Sequence, residues 1–182
     1  FKHTNTMCKF KNIGLFLIAL ITIVSCSKLD ELTEFDISDN FKTTLNINVT
    51  EDSEGEPQSW SQSSTVDLAD NNEIESSLDL IQDVKINSLT FKIINFTGVE
   101  NATAIDASLR FGDDTLIALE DINLEDSSTT YSVGTAQQLN TIANDLKNAS
   151  EIMATVNGTV ASSPVRFDVV IVLDVTTTID VL

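Results

Sequence analysis

Residues 152–160 read IMATVNGTV and residues 165–175 read VRFDVVIVLDV, with only Ala161-Ser162-Ser163-Pro164 between them. In the second segment Phe167, Val169, Ile171 and Leu173 recur at alternate positions, the period of a strand with one buried face. Val170 and Val172 on the opposite face are apolar as well, so the middle of this strand is expected to be covered on both sides. The first segment reads as one more strand, and β-prone sequence continues through residues 176–182. Two such strands joined by a short proline loop set the fold class as mainly β.

Working back toward the N-terminus, Thr135-Ala136-Gln137-Gln138 is a capping box, and Leu139, Ile142, Ala143 and Leu146 follow at helical spacing. That predicts a helix ending near Lys147-Asn148, where a lysine suits the negative end of the helix dipole. Residues 129–133 read as a short strand after the polar loop 125–128. Residues 116–124 form a strand of irregular parity after the turn Gly112-Asp113-Asp114. Residues 103–111 alternate at Ile105, Ala107, Leu109 and Phe111. Residues 84–96 are β-prone but slip phase, which predicts a bulge near Asn87-Ser88.

Residues 70–82 change period: Asp70 can cap, Glu73 follows, and Ile74, Leu78 and Ile81 recur at helical spacing, predicting a short amphipathic helix. Residues 60–68 alternate with mostly polar partners, as an edge strand does. Residues 51–57 are an acidic turn with Gly55 and Pro57, and residues 43–50 alternate through Leu45, Ile47 and Val49. The expected architecture is an antiparallel β-sandwich of eight or nine strands with two short connecting helices, spanning residues 41–182. Phe91, Phe96, Phe111 and Phe167 lie on strand patterns and are expected in its core.

The chain carries 28 Asp+Glu against 10 Lys+Arg, a net charge of −18. Such a surface repels nucleic acid and anionic lipid, so neither is an expected partner. The only histidine is His3 and the only cysteines are Cys8 and Cys26. The chain beyond Cys26 therefore has no His and no further Cys, which excludes Ser-His-Asp or Cys-His catalysis and a His-ligated zinc there. No disulfide is available to that part, so its core must hold it.

Residues 7–25 have the tripartite form of a signal peptide: Lys9 and Lys11, an apolar run over residues 13–24, then small residues. Met7 is read as the initiator, with residues 1–6 upstream of it. Ile23-Val24-Ser25-Cys26 resembles the lipobox of bacterial lipoproteins, which implies that Cys26 is diacylated. The following Ser27-Lys28-Leu29-Asp30-Glu31 resembles the post-cysteine export run of flavobacterial-type Bacteroidota outer-membrane and surface lipoproteins. That resemblance implies outer-membrane anchoring with Ser27, Lys28, Asp30 and Glu31 as the sorting signal, surface-exposed or, alternatively, facing the periplasm. Residues 26–40 are then a lipidated tether. The segment 86–93, arriving after a capped helix, is similar to exported β-sandwich proteins of the same bacteria.

Several constellations carry two readings each. Asp52, Glu54, Asp113 and Asp114 sit on acidic turns that suit either Ca²⁺ or plain solvated charge; no other cofactor is implied. Trp60 and Tyr131 pair a flat apolar face with a polar tip, as a sugar-stacking platform requires, or serve as rim residues. Asp114-Thr115-Leu116 resembles the three-residue O-glycosylation motif of exported Bacteroidota proteins, which would modify Thr115; otherwise Thr115 starts a strand. Arg166 and Asp168 share a strand face and are expected to form an ion pair. The function expected is a non-enzymatic binding or structural accessory protein, held to the membrane by lipid and serving an envelope protein or glycan. The alternative is a glycan-binding module of a carbohydrate-uptake system, assisted by Ca²⁺. A carboxylate-dependent hydrolase needs two acids facing across a cleft.

Overall fold

The computed structural model describes residues 33–50 and 56–181. Eight strands form: β1 (Glu34–Val49), β2 (Gln58–Asp67), β3 (Ile81–Gly98), β4 (Thr103–Phe111), β5 (Asp114–Asn123), β6 (Tyr131–Ser132), β7 (Glu151–Val160) and β8 (Val165–Asp180). They build two four-stranded antiparallel sheets, ordered β1-β8-β3-β6 and β2-β7-β4-β5. That pair of orders is a jelly roll, in which two Greek keys fold into a double sheet. The expected sandwich is present, with Asp36–Ile179 as its compact unit. Outside that unit, among the described residues, the Val181 N–H donates to the Thr33 carbonyl (3.2 Å).

The core lies between the sheets. Phe111, Phe167, Leu45, Leu89, Ile171 and Leu173 are among its fully buried side chains. β8 is central to one sheet, and its inward residues Phe167, Val169, Ile171, Leu173 and Val175 are all buried. On its other face Val170 is buried and Val172 half-buried, as a strand covered on both sides demands. The phase slip in β3 is a register shift between Ile86 and Ser88. Phe91, Phe111 and Phe167 are core residues, whereas Phe96 is only partly buried against it.

Three expectations need correction. β1 begins at Glu34, so the tether cannot extend to residue 40. Ile37 and Phe41 face the core at odd positions, while Asp36 and Ser38 at even positions meet Thr178 and Thr176 of β8. The polar outward residues hid a strand period that was present all along.

The helix expected over residues 70–82 is a 3₁₀ turn (Leu68–Asp70), a single α-turn, α1 (Asn72–Glu75), and a second 3₁₀ turn (Leu78–Leu80). Asn71, not Asp70, caps α1, accepting from the Glu73 and Ile74 N–H groups. The chain leaves it when the Ser77 N–H turns back to the Ile74 carbonyl, and Ile81 already belongs to β3. Only Ile74 of the helical stripe is fully buried.

The third correction is in β4, where a register shift between Ala104 and Asp106 turns Ile105 outward, 40% exposed, and buries Ala104 instead. The second helix, α2 (Ala136–Ala149), carries its capping box and buries Ile142, Ala143 and Leu146.

Candidate functional site

β1 and β2 are the edge strands of the two sheets, on the same flank of the sandwich. The Thr43 hydroxyl donates to the Ser64 hydroxyl (2.7 Å) and ties one edge to the other. Beyond that tie the strands part. Between Asn46–Thr50 of one and Gln58–Gln62 of the other lies a cleft of about 410 Å³. An edge strand directs half of its backbone N–H and C=O groups away from its own sheet, so both walls carry main-chain donors and acceptors beside their side chains. Ile47 and Val49 turn into the core, which leaves Asn46, Asn48 and Thr50 on one wall and Gln58 to Gln62 on the other to give the cleft its chemistry.

Trp60 separates this cleft from the core. Its ring meets Phe167 edge-to-face at 5.5 Å, and it also lines a small apolar space of about 30 Å³ between the sheets. Opposite Trp60 in the β2–β7 register is Gly158, whose missing Cβ makes room for the indole. The indole Nε1 is buried with no hydrogen-bond partner among the described residues. Packing, not hydrogen bonding, therefore holds the ring.

The β1 wall has fixed polarity. The Asn46 amide Nδ2 donates to Asp168 Oδ1 (2.6 Å), and Arg166 Nε donates to Asn48 Oδ1 (2.8 Å). An ionised carboxylate only accepts and a guanidinium only donates, so neither asparagine can flip without losing its partner. Asn46 keeps its carbonyl oxygen for another donor, and Asn48 keeps its amide nitrogen for another acceptor. Asp168 also accepts from Asn95 Nδ2 (2.7 Å). The Asn46 bond, then the Asn95 bond, hold its carboxyl below the ordinary value. The expected Arg166–Asp168 ion pair is thus replaced: each partners an asparagine of β1, the strand that neighbours β8 in the sheet.

The residues singled out in sequence are dispersed. Trp60 lies in the cleft, but Tyr131 belongs to β6 at the far edge of the other sheet, stacked on Phe91 (4.7 Å between centroids, 11° between planes). The two aromatics do not share a platform. Thr115 is exposed near the start of β5, with its carbonyl accepting from Gln138 Nε2 (3.0 Å). Asp113 and Asp114 sit at the β4–β5 turn, where the Asp113 carbonyl accepts from Arg110 Nη2 (3.1 Å).

Among the described residues, no three His, Cys, Asp or Glu side chains gather as metal ligands. Cys26, Ser27, Lys28, Asp30, Glu31, Asp52 and Glu54 lie outside the described residues. No helix among the described residues is long and apolar enough to cross a membrane. Asn46, Asn48, Gln58 and Gln62 were not marked by sequence. Their signal was faint: amides at the outward positions of one strand and along the polar stretch of another.

No protein-family model matches the chain, and no curated protein matches it. Among solved structures it is similar to the decameric BFDV capsid protein, with TM-score 0.45 and 9% identity over 79% of this chain and 99% of that one. It is similar to Desmodium yellow mottle tymovirus, with TM-score 0.36 and 11% identity over 81% of this chain and 84% of that one. A third likeness is to TmCBM61 in complex with β-1,4-galactotriose, with TM-score 0.31 and 11% identity over 81% of this chain and 88% of that one. Scores and identities this low transfer neither ligand nor assembly to this chain.

Proposed function

We propose that this chain is a lipid-anchored cell-envelope protein whose β-sandwich holds a ligand in the β1–β2 cleft and does not transform it. The observation that carries the reading is the cleft itself: a space between two edge strands, lined by Trp60 and by locked amides on the β1 wall. Ligand sites are concave and use a few fixed polar groups beside an apolar surface, which this flank supplies. None of the described residues lining it is a carboxylate, so the acid pair that a hydrolase needs is not among them. The tether reading rests on the signal-like stretch before Cys26 and on the acidic run after it. Two or more acyl chains on that cysteine would hold the protein firmly to a bilayer, where one would be marginal.

Two measurements test this. Cells fed an alkyne-tagged fatty acid should label the wild-type protein in the outer-membrane fraction, and Cys26→Ser should abolish both labelling and membrane retention. Ligand eluted from protein incubated with host envelope extract should be chemically unchanged; accumulation of a cleavage product would end the non-enzymatic reading.

A further inference from the structure

We propose that the β1–β2 cleft takes an uncharged, hydroxyl-rich ligand: a segment of neutral saccharide lying along the two strand edges. This rests on the cleft being the ligand site and names what it holds. The first argument is charge. The chain carries 28 acidic against 10 basic residues, yet none of the described residues lining the cleft is charged. An anionic ligand would meet the repulsion of the whole chain. A cationic ligand would find no carboxylate on the described walls to pair with. An uncharged polar ligand meets neither obstacle.

The second argument is the locked polarity of the β1 wall. Asp168 fixes Asn46 with its carbonyl oxygen left to accept, and Arg166 fixes Asn48 with its amide left to donate. The two lie two residues apart on one strand, about 6–7 Å. Hydroxyl groups both donate and accept, so a row of them satisfies this pair in either direction along the strand. The facing wall adds Ser61 and Gln62, again neutral donors and acceptors.

The third argument is Trp60. It is half-buried, lines the cleft and packs edge-to-face on Phe167, so the one aromatic residue there is held rigidly, with no acid or base beside it among the described lining residues. A sugar ring offers C–H groups to an aromatic face and hydroxyls to surrounding amides at once. An extended peptide fits less well. Strand addition draws its specificity from pockets for alternate side chains, and Trp60 is the one large apolar side chain here that is not directed wholly into the core.

Trp60 is the only tryptophan in the chain, so its emission reports on the cleft directly. The full chain should be titrated with neutral hexose and N-acetylhexosamine oligomers, uronic-acid oligomers, an uncharged extended peptide of about six residues, a lysine-rich peptide of the same length, and host envelope extract. At least one neutral oligomer should shift the emission saturably. Asn48→Ala and Gln62→Ala should each weaken it about tenfold, the loss of one hydrogen bond to a neutral group. Tyr131→Phe, at the far edge, should leave it unchanged, and melting curves show whether each variant is folded.

A response to a peptide or to the uronic oligomers but to no neutral saccharide overturns the inference while the cleft stands as a ligand site. Saccharide binding that ignores Asn48→Ala and Gln62→Ala in folded protein overturns it too. Silence toward every ligand and toward the extract overturns both this inference and the proposed function.

Discussion

Trp60 is seated on Gly158: a Cβ added there would come within 2.8 Å of the indole Cζ2 and closer still to the Asp106 carbonyl. The two residues face each other in the β2–β7 register. Asp106 arrives from the other side, where β4 shifts register after Ala104. An indole, a bare backbone position and a bulge thus interlock across three strands. The seat of the tryptophan that lines the cleft is set by a glycine in the neighbouring strand.

Gly158→Ala should therefore both destabilise the fold and displace the tryptophan. The backbone of Asp106 cannot yield as a flexible side chain would, so we expect a loss of about 1–3 kcal/mol, the usual cost of overpacking. Urea unfolding gives the stability, and the emission of the folded variant reports the ring. An unchanged spectrum at unchanged stability would show that β4 moves aside freely.

Much of this fold was legible from alternation, because burial on one face imposes a period of two wherever the chain pairs. β8 and the bulge at Asn87-Ser88 followed from that rule alone. Where the period broke, alternation named the wrong residue: it set Ile105 on the inward face with Leu109 and Phe111, and only the pairing of β4 with β7 shows Ala104 buried instead. The short helical stripe after Asp70 failed because the Ser76 hydroxyl donates to the Glu73 carbonyl and the Ser77 N–H to the Ile74 carbonyl, which ends α1 after one turn. The cleft was least legible. It is made by two edges from different sheets, and asparagines gain their fixed polarity from Asp168 and Arg166, which lie over a hundred residues away in sequence.

Asp126 and Asp168 should make the protein sensitive to acid in a defined window. Asp126 is lowered from 3.8 to about 2 by the Ser128 hydroxyl, then the Thr129 hydroxyl and the Ser128 N–H. A folded value below the unfolded one contributes stability that is present above the unfolded value and lost as pH falls through the folded one. For Asp126 that loss runs from near 3.8 down to about 2. Asp168 is shifted in the same direction, by Asn46 first and then Asn95. Carboxyl NMR should find Asp126 titrating near the lower value. The stability gap between wild type and Asp168→Asn should shrink as pH falls below about 4; a gap that widens there would contradict the assigned bonds.

The capping box of α2 offers a local test. Thr135 Oγ1 accepts from the Gln138 N–H (3.3 Å), and Gln138 Oε1 accepts from the Thr135 N–H (2.8 Å). Gln138 also donates from Nε2 to the Thr115 carbonyl, joining the helix start to β5. Thr135→Ala should cost about 1 kcal/mol. Gln138→Ala should cost a similar amount and in addition speed amide exchange in the first turns of α2. Equal exchange in both variants would mean that the Thr115 tie contributes nothing to the helix start.

One substitution should raise stability. Thr177 is fully buried in β8, opposite Val84 of β3, and its hydroxyl has no hydrogen-bond partner among the described residues. Its inward neighbours Val175 and Ile179 are aliphatic and buried. An unmade hydrogen bond in such surroundings costs about 1–3 kcal/mol in desolvation. Valine has the same branched shape with a methyl in place of the hydroxyl, and it suits a strand equally well. Thr177→Val should therefore stabilise the fold by about 1 kcal/mol in urea unfolding, with no change in the slope of the transition. A loss of similar size would show that the hydroxyl has found a partner, and would place a polar contact inside the sandwich.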